Sequence, residues 1–102
     1  MAFGFVMDVP APVEFYDTLH AEMKRRVDGP VDGLLLHVAR ATAEGFQVIE
    51  VWESREQADR YDQEIVLPVI AQFSDGQPAR PAPPRQEFEP RGLVVPSANV
   101  LL

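Results

Sequence analysis

The chain has 102 residues, a net charge of −7 and an isoelectric point near 4.6, with one lysine among its nine basic residues. That balance argues against nucleic acid and anionic membrane surfaces, which require a basic patch. The absence of cysteine removes disulfides, thiol catalysis and thiolate metal sites. Two histidines, His20 and His37, match no metal-ligand spacing, so neither a metal nor a cofactor is expected. The length suits a single domain, residues 1–102, with one two-layer core.

Ala2 to Val9 reads as the first strand; it is apolar but short and lacks the basic flank of a signal peptide. Pro10-Ala11-Pro12 closes it, and Pro12 suits the first turn of a helix. Val13 to about Arg26 is that helix, with Tyr16, Leu19, Met23 and Val27 as its buried stripe. Glu14 and Asp17 come early and Lys24, Arg25 and Arg26 late, as the helix dipole favours. Asp28 to Gly33 is a loop.

Gly33 to Ala39 is a short, mostly apolar run that suits a strand buried on both faces. Phe46 to Trp52 follows, rich in β-branched and aromatic residues. Between them lies the turn Thr42 to Gly45, with Gly45 expected to take a positive φ. Ser54 and Gln57 have the spacing of a capping box, in which the serine accepts from the glutamine amide and the glutamine side chain reaches back. Ala58, Tyr61, Ile65 and Val69 form an apolar stripe at helical spacing, and Pro68 is expected to kink or break this second helix. Ser74-Asp75-Gly76 ends it.

Gln77 to Arg85 holds four prolines and reads as an extended surface connection, with polyproline docking by Arg80 to Arg85 as the alternative. Gln86 to Glu89 and Leu93 to Val95 are the candidates for a fourth strand, broken or bulged around Pro90-Arg91-Gly92. Ser97 to Leu102 is an apolar tail expected to pack on a partner or on its own core. No run approaches the ~20 apolar residues of a membrane span, and a soluble cytoplasmic protein is expected.

The order is β-α-β-β-α-β, a ferredoxin-like α+β arrangement with two helices on one face of a four-stranded antiparallel sheet. Both central strands are apolar on both faces, so the second face needs cover. A second copy supplies it most simply, as a homodimer joined through its sheet faces into a dimeric α+β barrel.

Glu50 stands in the middle of an apolar strand, where an uncompensated carboxylate is expensive. A four-residue loop puts Ala41 opposite Phe46 and His37 opposite Glu50; a five-residue loop puts His37 against Ile49. Satisfaction of polar groups favours the first register. A His37–Glu50 pair beside Trp52 then results. It reads either as a structural hydrogen bond or as a catalytic base in which the carboxylate orients and strengthens the imidazole. Tyr16 and His20 lie one helical turn apart and face one cavity or simply the helix boundary. Trp52 is a core or interface anchor or a substrate platform, and Tyr61 packs its ring while its hydroxyl can reach a ligand.

From Phe46 to Tyr61, the Val48-Ile49-Glu50-Val51-Trp52-Glu53-Ser54-Arg55-Glu56 run resembles the antibiotic biosynthesis monooxygenase type of dimeric α+β barrel proteins. The resemblance implies the fold and the dimer; it implies chemistry weakly, because this architecture hosts many functions. Its polyketide-oxidising, cofactor-independent branch has a Trp at the place of Trp52. The Asn, Tyr and Arg that branch also uses fall here on Val48, Ala58 and Gln72. The haem-degrading branch has a Trp where Tyr61 lies and an axial His where Ala71 lies, so that activity does not carry over. Two readings follow. One is a cofactor-independent monooxygenase acting on a small aromatic or polyketide-like molecule, with His37 and Glu50 as the base and Trp52, Tyr61, Tyr16 and His20 around the ligand. The other is a non-catalytic dimeric domain that binds a small molecule or a protein.

Overall fold

The architecture was taken from a computed structural model, which describes residues 2–73, 83–98 and 100–101. Strand β1 (Phe3–Val9) leads to helix α1 (Val13–Arg26), the hairpin of β2 (Leu34–Ala41) and β3 (Phe46–Trp52), and helix α2 (Arg55–Tyr61). A π-helical turn (Asp62–Val66), helix α3 (Leu67–Gln72) and strand β4 (Arg85–Phe88) follow. The main sheet has the order β2-β3-β1-β4, with every neighbouring pair antiparallel. This is the ferredoxin-like β-α-β-β-α-β fold.

Register sorts the side chains onto two faces. Phe3, Phe5 and Met7 lie opposite Trp52, Glu50 and Val48, while Gly4, Val6 and Asp8 lie opposite Val51, Ile49 and Gln47. The first set faces the helices, where Phe3, Phe5, Trp52 and Ala58 make a buried cluster with Met7, Val31, Leu34 and Tyr61 packed on it. The stripe predicted for the second helical layer is real: Ala58 and Val69 are buried, and Tyr61 and Ile65 half-buried. Two cations close the edge of this layer. Arg55 lies 4.4 Å over the Phe3 ring and Arg85 4.5 Å over that of Phe5, and both pair with carboxylates, Glu87 and Asp59 respectively.

Among the described residues no helix covers the other face. Val6, Leu36, Val38, Ile49, Val51 and Phe88 line it, with Val38 and Phe88 exposed and Val51 buried. One end is polar: Arg40 donates to Gln47, and Gln47 to Asp8. Strand β2 is consequently only half-buried, not buried on both faces as its composition suggests. Within one chain it is an edge strand with a single neighbour and an open back.

Several local expectations change. In α1 only Leu19 of the apolar stripe is fully buried, and Glu22 is buried beside it because Arg25 and Arg26 both bond its carboxylate. Gly45 does not take a positive φ; among the described glycines only Gly29 and Gly33 do. Glycine is needed at position 45 because a Cβ there would run into the Val9 carbonyl and stand 2.8 Å from that of Ala11. Ser54 caps α2 by accepting from the Gln57 amide, but the Gln57 side chain meets the Ser54 hydroxyl and Asp32 rather than completing the reciprocal bond.

Pro68 does not break the helix. The π-helical turn precedes it, with the Leu67 amide bonding the Asp62 carbonyl, and Pro68 opens α3, where its missing N–H matters least. Leu93 to Val95 is not a continuation of the fourth strand either. Val94–Val95 (β5) pairs with Val100–Leu101 (β6) as a separate ribbon around a 3-10 turn, Pro96–Ala98. The expected Ser74–Gly76 turn and most of the proline connection, including Arg80, lie outside the described residues.

Candidate functional site

The hairpin closes with the Thr42 amide on the Gly45 carbonyl, so Ala41 pairs with Phe46 and His37 with Glu50. This is the register that polar satisfaction favours. A bulge at Leu35 precedes it, between the pairs Leu34–Trp52 and Leu36–Val51. Odd-numbered β2 residues after the bulge therefore join the helix-covered face with Glu50 and Trp52.

There Glu50 uses both oxygens. Its Oε2 lies 2.6 Å from His37 Nδ1, and its Oε1 accepts from the Trp52 indole N–H at 2.9 Å. Glu50 and Trp52 are two apart on one strand, so they point the same way. The carboxylate is thus satisfied on both sides, which is how a nearly buried charge is tolerated here.

Helix α1 brings a third group. The Tyr16 hydroxyl lies 2.6 Å from His37 Nε2 and 3.4 Å from His20 Nδ1, and the Tyr16 ring leans on buried Phe46. The rings of Tyr16 and His37 are near parallel at 6.0 Å, and those of His20 and His37 are parallel within 1° at 5.9 Å. Trp52, Glu50, His37, Tyr16 and His20 are therefore joined in one chain of polar contacts, with the Tyr16, His20 and His37 rings mutually adjacent at 5.3–6.0 Å. Trp52 is 1% exposed, whereas His37, Tyr16 and His20 are half-exposed.

Burial, and then the nearby Glu50 charge, push the Tyr16 hydroxyl above its ordinary value, and the same two causes act on Tyr61. Both phenols are accordingly neutral near pH 7. Burial, the neighbouring His37 and Lys24 hold His20 below the ordinary imidazole value, against the pull of Asp17.

All six residues singled out from the sequence lie on the helix-covered side, and five of them join this chain of contacts. Tyr61 stands apart from it, its ring 5.5 Å from that of Trp52. Sequence reading missed the Tyr16–His37 bond and the use of the Trp52 N–H by Glu50. The second had a visible signal, the two-residue spacing on one strand. The first depends on where α1 crosses the sheet.

Two surface concavities lie elsewhere. One of about 510 Å³ is lined by Asp17, Thr18, Ala21, Glu22, Arg25 and Phe73, the other of about 290 Å³ by Phe3, Arg55, Glu87 and Phe88 among others. Neither is lined by His37 or Trp52. Among the described residues no cluster of three or more His, Asp and Glu side chains could hold a metal, and no helix is long and apolar enough to cross a membrane.

No family profile and no curated protein matches the sequence. Among solved structures the chain is similar to that of the heme-degrader MhuD from Mycobacterium tuberculosis with two hemes bound in its active site. The similarity covers 93% of this chain and 99% of that one, at 21% identity and a TM-score of 0.47. At that level of likeness neither ligand nor activity transfers.

Proposed function

We propose that this protein is a small acid–base enzyme, a cofactor-independent monooxygenase that acts on a small aromatic or polyketide-like molecule. The observation that carries the reading is the unbroken contact Glu50–His37–Tyr16, with 2.6 Å on each imidazole nitrogen. A carboxylate on Nδ1 fixes the ring so that Nε2 can receive a proton, the geometry general-base catalysis requires. The half-exposed Tyr16 hydroxyl is the group that meets substrate. An activated CH₂ group gives a proton to the Tyr16 oxygen as the Tyr16 proton passes to His37 Nε2. The resulting imidazolium has both N–H groups satisfied, on Glu50 and on Tyr16. The substrate carbanion then reacts with dioxygen, and CH₂ plus O₂ yields C=O plus water.

The open sheet face supports a homodimer. Its apolar patch, with Val38 42% and Phe88 41% exposed, would be covered by the same patch of a second copy.

The second reading is a non-catalytic dimeric domain that binds a small molecule or a protein. It is favoured by the two concavities that leave His37 unlined. Oxygen uptake by pure protein with acidic phenols and anthrone-like compounds separates the two. The enzyme reading expects uptake that His37→Ala and Tyr16→Phe abolish. Uptake unchanged in both variants takes His37 and Tyr16 out of the chemistry, and uptake absent across the series leaves the binding domain.

A further inference from the structure

His20 touches the other polar groups through Nδ1, 3.4 Å from the Tyr16 hydroxyl, and the acid–base reading leaves it without a task. We propose that His20 is the proton exit of the site, taking a proton from Tyr16 at Nδ1 and releasing one from Nε2 to water. This rests on the reading of the Glu50–His37–Tyr16 contact as an acid–base unit, although its first test does not require turnover.

Hydrogen-bond bookkeeping defines the two states. At rest, His37 Nδ1–H donates to Glu50, Tyr16 O–H donates to His37 Nε2, and the Tyr16 oxygen can accept only from a His20 that carries its proton on Nδ1. After His37 gains a proton on Nε2, that N–H donates to the Tyr16 oxygen. The phenol proton then turns toward His20 Nδ1, which must be bare: His20 gives its Nδ1 proton to water and takes one from water on Nε2. Discharge moves three protons one place each: His37 Nε2–H to the Tyr16 oxygen, Tyr16 O–H to His20 Nδ1, and His20 Nε2–H to water. The resting state is restored, with one proton released and no other bond changed.

The geometry suits a relay that passes charge without storing it. The 3.4 Å step to His20 is looser than the 2.6 Å step to His37, and the parallel imidazoles 5.9 Å apart disfavour two charges at once. The charged or titratable groups that bear on Tyr16 are Glu50 on β3, Asp17 on α1 and Tyr61 on α2, and those that bear on His20 are His37 on β2 and Lys24 and Asp17 on α1. Direct loss of a proton from His37, whose side chain is 26% exposed, is the competing route.

Ring-nitrogen NMR of the resting protein across a pH titration tests the relay. The expected result is that His20 moves its proton from Nδ1 to Nε2 with the same midpoint at which His37 Nε2 becomes protonated, and that Tyr16→Phe uncouples the two. A His20 ring that keeps one tautomer throughout, or the same linked change in Tyr16→Phe, overturns the proposal. Should Tyr16→Phe fail to fold, His20→Gln serves instead. Exchange of the His37 Nε2 proton with water is expected to slow several-fold in that variant, and unchanged exchange overturns the relay. Where oxygen uptake is found, His20→Ala should turn over slowly in dilute buffer and recover with added imidazole; a full rate without imidazole overturns the exit while leaving the Tyr16–His37 base intact. Full uptake in His37→Ala would instead sink the underlying acid–base reading.

Discussion

The Tyr16 hydroxyl on α1 and His37 Nε2 on β2 meet at 2.6 Å across 21 positions of sequence. The contact ties the first helix to the edge strand at the point where the strand has a polar side chain. Tyr16→Phe keeps the ring against Phe46 and removes only the hydroxyl. It should cost about 1 kcal/mol in urea unfolding. Oxygen uptake on any substrate found should fall by at least about 10²-fold. Full uptake would take the hydroxyl out of the chemistry.

Glu50 holds two donors, so its replacements separate charge from hydrogen bonding. Glu50→Ala leaves the buried Trp52 indole N–H and His37 without their acceptor and should destabilise by about 1–3 kcal/mol. Glu50→Gln keeps one acceptor oxygen and should lose less stability, while losing the charge that a protonated His37 would face. Trp52 emission followed through denaturant reads both. Equal losses for the two variants would contradict the two-donor arrangement.

Position 45 is limited by space, not by dihedral angle. Gly45→Ala should cost about 1–3 kcal/mol, because the new methyl meets the backbone of Val9 and Ala11 at the hairpin turn. Gly29 provides the contrast: its φ of 108° strains any side chain, yet nothing lies within 4 Å. Its alanine variant should lose only the local strain, about 1–2 kcal/mol. Thermal melts of both, with near-ultraviolet circular dichroism, would show the turn disturbed only in the first.

Acid should weaken the fold partly through Glu22. Hydrogen bonds from Arg25 and then Arg26 hold its carboxyl down to about 2, against 4.5 when free. A lowered value means that the folded state binds the proton less readily than the unfolded state. The contribution is complete above pH 4.5 and disappears as pH falls toward about 2. Between pH 5 and pH 2 the urea midpoint of Glu22→Gln should therefore fall less than that of the native chain. Parallel curves would show that the two arginines do nothing for stability.

The open sheet face makes its own prediction. A charge at Val38, an exposed residue of the apolar patch on the edge strand, should leave the single-chain fold intact and shift sedimentation from two copies to one. Glutamate at Lys24, an exposed position on the helix side, should not. A native chain that sediments as one copy at micromolar concentration removes the dimer.

Legibility followed the range of the forces involved. The element order, the hairpin register and the Ser54 cap were readable because strand alternation, loop length and capping act over a few residues. Glu50 was readable as anomalous because a charge amid Val48, Ile49 and Val51 must find a partner, and His37 was the partner in register. Glu22 was missed although Arg25 and Arg26 follow at the spacing that neutralises it; apolar periodicity took precedence. The Tyr16–His37 contact needed the placement of α1 over β2, which no local pattern fixes. The separation of Val94–Val95 from the main sheet likewise depends on where β4 ends and on Val100–Leu101 returning to pair with it.

The π-helical turn at Asp62–Val66 bears on how this chain can tolerate change in length. Its wider hydrogen-bonded ring lodges a surplus residue between Tyr61 and Leu67, and the next segment can start afresh with a proline near its head. Excising one exposed position there, such as Gln63, would force an ordinary helical ladder through the site. The Pro68 ring would then press on the carbonyl four positions back. Val69, which is wholly enclosed, would be the first core contact to feel the rotation. An insertion that looks dispensable in an alignment of lengths is thus what lets a helix breaker and a core anchor stand side by side.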